Sequence, residues 1–399
     1  MTVDDGNATE GSAGQEAGTD ESREADGRSM GNLELFFDLT FVFAISQVTH
    51  LILHDVSWHG FGQGALALLA LWWAWVCYAW LTNMFEMARV IHTTLIIFAM
   101  AAMLVAVIAL PTAFTTGALV FGLALLAVRL INAAMFIASA SRDETESAST
   151  IRRLVPGLLF GPALLVAAAF VDSPYRELMW VAAAAVDFGT PLIAGTNGLR
   201  VVPSYFIERH GAVVIIALGE TIISLGGGAT ESLHRPGVLG AVVLGVLISA
   251  TLWWTYFGLT AGAEERMRRT SAADRPLLAR DAYSYLHLPL IAGIIFFAVG
   301  ARVSVEHIGE PLSPLAALAL TGGVALFYAA EVAYRWRDHH QLTVDRLLTA
   351  AASLLVFPVA ISVPAVLSLA ILTAIGVLRL AWELWRRPQI GTGTAGAAR

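Results

Sequence analysis

The sequence predicts an all-α polytopic membrane protein with about twelve transmembrane helices, and the first observation behind this is its composition. Of its 399 residues, 57% are hydrophobic and only 14% are charged, with a mean hydropathy of +0.69. A soluble protein carries about 25% charged residues. The second observation is that residues 64–81 and 93–128 hold no charged side chain. About 20 apolar residues are enough for a helix to cross the hydrocarbon core.

Twelve apolar segments follow one another along the chain, and each is predicted to be a transmembrane helix. They lie at 33–53, 63–82, 91–110, 116–138, 154–171, 177–195, 208–226, 238–260, 283–300, 315–334, 346–362 and 364–385. With the N-terminus inside, nineteen of the 24 basic residues, all arginines, fall on cytoplasmic segments and three fall on outer loops. The nineteen include Arg209, Arg335 and Arg346. Since cytoplasmic loops carry the excess of basic residues, we expect both termini to be cytoplasmic, in the inner or plasma membrane.

Both ends of the chain are predicted to be disordered tails. Residues 1–31 are rich in acidic residues, Gly, Ser and Thr, and they hold almost no large apolar side chains. Residues 388–399 form the second tail. Between the tails we expect a first six-helix half at 32–196 and a second six-helix half at 197–387.

A sequence similarity between the two halves indicates an internal repeat. Leu71–Trp73 in the second span corresponds to Leu252–Trp254 in the eighth, at an offset of six spans. Because six is even, the halves would insert with the same orientation and be related by an axis along the membrane normal. The alternative is a chance similarity, since Trp residues are common in membrane helices.

The residue content leaves several classes of protein without support. Lys is absent, which removes Schiff-base and P-loop lysines, and neither an HExxH motif nor a GxGxxG motif after a strand is present. Cys77 is the only cysteine, and no Cys/His cluster has the spacing of metal ligands. Without the eight acids and two arginines of the first tail, 23 acids face 22 arginines, so a nucleic-acid partner is not expected. We expect no enzyme activity, no cofactor and no metal.

The first span carries two carboxylates, Glu34 and Asp38, on one helix face. A charged group inside the membrane costs about 2.5–3.5 kcal/mol or more, so Asp38 is expected to face protein or water. It is interpreted either as an ion or proton site or as a structural partner of an Arg or a helix end. Glu34 is expected to be an interfacial residue at the helix N-terminus, where the helix dipole favours an acid.

The seventh span holds a second deep carboxylate, Glu220. It lies about 18 Å along the helix from Glu208, which is near the start of that span. A carboxyl group that can be neutral or charged in an apolar surrounding is what a proton carrier needs. The alternative is a structural acid or ion pair that joins two helices.

Two further deep charges are Asp187 in the sixth span and Arg129 in the fourth. Pro191 follows Asp187 and can break the helix, which would free backbone carbonyls. Arg129 must find an acid among Asp38, Asp187 and Glu220. It is interpreted either as a permanently paired structural residue or as a charge that repels cations or binds an anionic solute.

Two histidines lie near the cytoplasmic ends of predicted spans. His92 begins the third span and His287 lies near the start of the ninth. Because histidine titrates near neutral pH, both are candidates for gating, together with Glu34 and Glu208. The alternative for each histidine is a buried packing residue with satisfied hydrogen bonds.

Three motifs in the chain resemble the bacterial low temperature requirement protein A family. The motifs run from Glu34 to Ile45, from Glu208 to Ile222 and from Tyr283 to His287. The resemblance covers roughly residues 31–386, and it implies a multi-pass inner-membrane protein without implying a reaction. A weaker similarity is to channels of two six-helix repeats, whose first helices carry a Phe-Ser-Asp motif. In this chain Phe37 and Asp38 are adjacent, without the Ser between them.

We expect a transporter, coupled to protons or another ion, whose unidentified substrate is an ion or small solute. The supporting observation is three deep acids, Asp38, Asp187 and Glu220, against one deep base, Arg129. A passive channel built from the same helices is the first alternative. A membrane scaffold or sensor linked to growth in the cold, without transport, is the second. The partner that the composition itself predicts is the lipid bilayer.

Overall fold

The computed structural model describes residues 31–84, 90–140 and 146–386, which form helices and no strand. In chain order the α-helices are α1 Asn32–His54, α2 Trp58–Met84, α3 Val90–Ala109, α4 Ala118–Ala140, α5 Glu146–Ala168, α6 Tyr175–Ala194, α7 Pro203–Ser232, α8 Val238–Thr260, α9 Ala263–Arg269, α10 Arg275–Leu278, α11 His287–Glu306, α12 Pro314–His339, α13 Val344–Leu355, α14 Phe357–Ala360 and α15 Ala365–Arg386. A π-helical segment, Ala279–Tyr285, joins α10 to α11. The predicted tails 1–31 and 388–399 lie outside the described residues, apart from Gly31.

The prediction of an all-α polytopic membrane protein is confirmed. Eleven helical segments in the described part of the chain are long and apolar enough to cross a membrane. Helix α3 illustrates the pattern, because it buries Ile96 and Met103 on one face while Phe98 and Ile108 on another face are exposed. An apolar helix with exposed apolar side chains suits contact with lipid, where its backbone hydrogen bonds are satisfied internally.

The predicted span 346–362 differs from a single long helix. It corresponds to α13 and α14, which are separated at Val356. Pro358 has no backbone N–H and cannot make the hydrogen bond that would continue α13. At about 1.5 Å per residue, the two helices together would extend about 25 Å if they were collinear.

The chain divides into two compact units. Of the described residues, the first unit holds those up to Ala217 together with Thr260–Leu288 and Arg337–His339, and the second unit holds the others. In the first unit α3, α4, α5 and α6 pack sequentially side by side, while α1 packs against α2 and α3. Helix α2 is the most deeply buried of the eleven candidate spans.

In the second unit, α11 and α12 approach each other closely enough for their backbones to be in contact. A Cβ atom at Gly300 would lie 2.3 Å from the backbone nitrogen of Leu320, and one at Gly323 would lie 2.4 Å from that of Phe297. Small residues permit this close packing in membranes. The boundaries of the two units differ from those of the predicted six-helix halves 32–196 and 197–387, and the internal repeat stays a prediction.

Candidate functional site

A buried ion pair joins α4 to α6 in the first unit. Arg129, in the middle of α4, is 0% exposed, and its Nη2 donates to Oδ2 of Asp187 at 2.8 Å. Asp187 is therefore the acid, among the three considered from the sequence, that the structure places against Arg129. Nη1 of the same guanidinium donates to Sγ of Cys77 at 2.7 Å, which connects α2 to the pair.

A cavity of about 60 Å³ lies beside this pair. Cys77 and Asp187 line it, together with Thr190 from α6 and Thr196 from the connection after α6. Oδ1 of Asp187 has no hydrogen-bond partner among the described residues. Because buried polar atoms are nearly always hydrogen-bonded, this oxygen can hold a bound molecule that donates a hydrogen bond.

Two glycines of α5 leave room for the polar side chains of this cavity. A Cβ atom at Gly161 would lie 2.7 Å from Oδ1 of Asp187, and one at Gly157 would lie 2.0 Å from Oγ1 of Thr190. Both distances are far shorter than a van der Waals contact. The close packing of α5 on α6 at the cavity therefore depends on the absence of side chains at these two positions.

Pro191 does not break α6, although the sequence permits it. The helix continues for three residues beyond Pro191. The chain after α6 is held by Asn83, whose side-chain amide donates to the carbonyl of Arg200 and accepts from the backbone N–H of Val202. These two hydrogen bonds fix the connection that carries Thr196 into the cavity wall.

A second buried ion pair, between Arg209 and Asp38, joins α1 to α7. Helix α7 begins at Pro203 instead of 208, so Arg209 lies inside the helix and is only 1% exposed. Its Nη2 donates to Oδ1 of Asp38 at 3.2 Å, and its Nη1 donates to Oγ1 of Thr82 at 3.0 Å. Nε1 of Trp75 donates to the same Asp38 oxygen at 2.9 Å. Oδ2 of Asp38 has no hydrogen-bond partner in the described part of the chain.

Glu34 belongs to the same hydrogen-bonded network. It lies in the first turn of α1, as the sequence predicts, and its side chain is buried. The hydroxyl of Tyr205 donates to Oε1 of Glu34 at 3.1 Å and accepts from Nη1 of Arg209 at 3.2 Å. Two acids and one guanidinium are thereby linked through a tyrosine hydroxyl.

Two buried histidines lie next to this network. His210, which is not among the predicted site residues, has its ring centroid 5.1 Å from that of His287 and 5.0 Å from that of Trp75. Nδ1 of His210 is hydrogen-bonded to the carbonyl of Phe206, and Nδ1 of His287 to that of Ala282. The sequence could have indicated His210 through its position, because it directly follows Glu208 and Arg209 in the motif from Glu208 to Ile222.

The π-helical segment Ala279–Tyr285 borders both the histidine pair and the cavity. Its Ser284 accepts two hydrogen bonds from α2, one from Nε1 of Trp72 to the carbonyl at 2.8 Å and one from Nε1 of Trp80 to the hydroxyl at 2.9 Å. Trp80 and Ser284 also line the cavity. π-Helical turns are rare and frequently occur at functional sites. Residues from all three quoted motifs therefore surround one buried polar region.

The other gating candidates lie elsewhere on the helices of the first unit. His92 is in the first turn of α3 and is half-buried, while the side chain of Glu208 on α7 is exposed. Their burial differs from that of Glu34 and His287, and the gating role stays a prediction for all four.

Glu220 lies in the second unit, on the C-terminal half of α7. It is buried, and Oγ of Ser224 donates to its Oε1 at 2.9 Å. The role of Glu220 in ion movement stays a prediction.

The count of three deep acids against one deep base is wrong, because the second unit holds a further buried charged cluster. Glu331 on α12 is 0% exposed, and its Oε1 accepts from Nε of Arg335 at 3.0 Å and from Nε of Arg346 at 2.5 Å. Arg379 on α15 donates to Glu383 at 2.6 Å. The spacing of four between Glu331 and Arg335 was the signal that could have revealed the pair.

No group of three or more His, Cys, Asp and Glu side chains in the described residues could hold a metal ion. In the histidine pair, one ring nitrogen of each residue is already bonded to a backbone carbonyl.

Comparison with known proteins gives a match to a family and to a relative. The family model of the bacterial low temperature requirement A protein (LtrA) matches residues 29–381. An uncharacterized protein of Rhizobium meliloti (strain 1021) is 29% identical over 371 residues, which cover 88% of this chain and 87% of the relative. No solved structure gives a significant match.

Proposed function

We propose that this chain, which belongs to the bacterial low temperature requirement A family, is a transporter that carries a small solute across the membrane with ion coupling. The observation that carries the proposal is the cavity beside Asp187. Asp187 lies on a candidate membrane span, and its Oδ1 has no hydrogen-bond partner among the described residues. An apolar cavity whose wall includes a polar residue with an unpartnered atom, between candidate membrane helices, has the general character of a site for a small solute.

A purely structural role explains the arrangement around Asp187 less well. A carboxylate that only joins two helices is expected to have both oxygens satisfied, since an unsatisfied buried polar group costs about 1–3 kcal/mol. In Asp187 one carboxylate oxygen accepts a hydrogen bond from Arg129, and the residue forms part of the cavity wall. Ionisable residues within membrane helices are expensive and often mark solute or ion pathways.

The Asp38–Arg209 pair supports coupling to an ion. Arg209 contacts Asp38, Thr82 and the hydroxyl of Tyr205. If Asp38 takes up a proton or contacts a cation, Arg209 keeps two neutral hydrogen-bond acceptors and loses its charged one. A change in ion binding would therefore alter the contacts between α1 and α7, which is how a coupling ion can shift a conformational equilibrium.

The test is charge movement by the full chain in proteoliposomes adsorbed on a solid support, with imposed proton, sodium and potassium gradients. We expect wild-type protein to give a transient current, and Asp38→Asn or Glu220→Gln to abolish it for the coupling ion. Glu265→Gln is the control, because Glu265 forms an exposed pair with Arg269, and it should leave the current unchanged.

Other results would redirect the proposal. A sustained current that needs no coupled gradient would indicate the passive channel. Two negative results together would contradict transport and favour the scaffold. They are the absence of a current in every gradient, and uptake of each tested solute by folded protein that neither substitution changes.

A further inference from the structure

We infer that the cavity beside Asp187 binds a small uncharged solute, which donates a hydrogen bond to Oδ1 of Asp187 and shares one with the hydroxyl of Thr196. This inference rests on the proposed function, because it names the class of substrate for the same site. It follows from three features of the cavity, namely its paired charges, its two polar atoms without a hydrogen-bond partner among the described residues, and its aromatic wall.

The charges at the cavity are already paired. Asp187 is paired with Arg129, and Arg280, which also lines the cavity, is paired with Asp281 at 2.7 Å. Asp281 also accepts from Arg337, whose side chain is 35% exposed and is therefore screened by solvent. An ionic solute would enter without a counter-charge, and an unpaired buried charge is far more costly than a hydrogen-bonded neutral group. The balance of charge favours a neutral solute.

Two residues of the wall each carry a buried polar atom without a hydrogen-bond partner among the described residues, and a small shift of the side chain is needed for a solute to reach it. Asp187 is 5% exposed and Thr196 is 3% exposed, and neither Oδ1 of Asp187 nor Oγ1 of Thr196 has a hydrogen-bond partner among the described residues. Thr190 lines the same cavity but is different, because its hydroxyl donates to the carbonyl of Val186 at 2.6 Å. A carboxylate only accepts hydrogen bonds, so the solute must carry an N–H or O–H group.

Most of the rest of the cavity wall is apolar, which restricts the polarity of the solute, and the cavity volume restricts its size. Trp73, Trp80 and Phe136 contribute aromatic rings, and Leu154 and Leu158 contribute aliphatic side chains. A cavity of about 60 Å³ has room for only a few non-hydrogen atoms. Small amides, urea and short alcohols have this combination of an N–H or O–H group with a small uncharged body.

Cys77 provides the measurement, because it is the only cysteine of the chain and it lines the cavity. The experiment follows the rate at which neutral methyl methanethiosulfonate modifies Cys77 in the full-length protein in nanodiscs. Acetamide, urea, methylammonium and acetate are each added as the competing probe. We expect acetamide or urea to slow the modification, and methylammonium and acetate at equal concentration to have little effect.

Two matched substitutions separate a binding site from a merely accessible cavity. Thr196→Val removes an available hydroxyl, whereas Thr190→Val makes the same change of shape at a hydroxyl bonded within its own helix. We expect Thr196→Val to weaken the protection by acetamide or urea roughly five- to tenfold, the effect of one lost hydrogen bond. Thr190→Val should retain most of the protection.

Three results would overturn the inference. The first is stronger protection of Cys77 by methylammonium or acetate than by the neutral probes. The second is an equal loss of protection in the two threonine variants. The third is a Cys77 that no probe protects or that does not react at all. Neutral protection without any flux would instead contradict the proposed function and leave the binding site in place. Flux without protection would contradict only the assignment of the substrate class.

Discussion

At the scale of single residues, two buried ion pairs connect the helices of the first unit, Asp38 with Arg209 and Asp187 with Arg129. The cost of a charge in lipid predicts that Asp38 and Asp187 face protein or water, and both are buried in the structure. Arg209 was not expected to be buried, because it lies next to the predicted start of its span at 208 and was counted with the cytoplasmic arginines. The pairing of Asp38 with Arg209 and of Asp187 with Arg129 depends on how α1, α4, α6 and α7 pack, which no local pattern contains.

Removal of Arg209 tests the energetic role of its pair with Asp38. Arg209→Gln leaves Asp38 buried without its charged partner, and we expect the free energy of unfolding to fall by roughly 3–5 kcal/mol. Arg269→Gln removes an exposed arginine, paired with Glu265, and should change stability by about 0–1 kcal/mol. Unfolding in mixed detergent micelles measures both. Equal stabilities of the two variants would show that Arg209 is not a buried ion-pair partner.

At the scale of helices, hydropathy predicted where most elements lie but not their irregularities. The predicted span 238–260 coincides with α8, and most other boundaries are shifted by a few residues. The π-helical segment Ala279–Tyr285 and the break at Val356 were not predicted. Both are departures from a regular helix, and the hydropathy of a segment does not distinguish a regular helix from an irregular one. They matter because the π-helical segment carries Ser284 into contact with α2.

The close approach of α11 and α12 gives a prediction at this scale. Gly323→Ala would place a Cβ atom 2.4 Å from the backbone nitrogen of Phe297, so the two helices must separate. We expect a clear fall in the thermal midpoint of unfolding, measured in detergent. Gly322→Ala is the matched control, because its nearest neighbour is the flexible end of Leu318 at 3.3 Å. A Gly323→Ala midpoint equal to that of Gly322→Ala would contradict this packing.

At the scale of the whole molecule, the number of crossings decides the topology. Eleven crossings would place the termini on opposite sides of the membrane, whereas twelve would place both in the cytoplasm, as the arginine distribution predicts. The sequence predicts the twelfth crossing at 346–362, where the structure has α13 and α14. The six-helix repeat likewise depends on an even number of crossings.

The topology prediction can be tested with single cysteines in a Cys77→Ser background. Cysteines replacing His340, before α13, and Ser362, after α14, should react with a membrane-impermeant maleimide from opposite sides of oriented vesicles. The expected side for position 340 is the cytoplasmic one. Labelling of both positions from the same side would show that α13 and α14 do not cross the membrane. Eleven crossings would then remain, and the two termini would lie on opposite sides.

The measurement that tests the transporter most directly is the reaction of native Cys77 with neutral methyl methanethiosulfonate, applied to one side of oriented proteoliposomes at a time while an impermeant thiol scavenges the reagent on the other side. A solute site in a transporter must open to each side in turn, so the account predicts modification of Cys77 from both sides, slowed by an added neutral probe such as acetamide. Cys77→Ser provides the blank. Modification from neither side, or from one side only under every imposed gradient, would contradict the claim that the cavity beside Asp187 lies on a transport pathway.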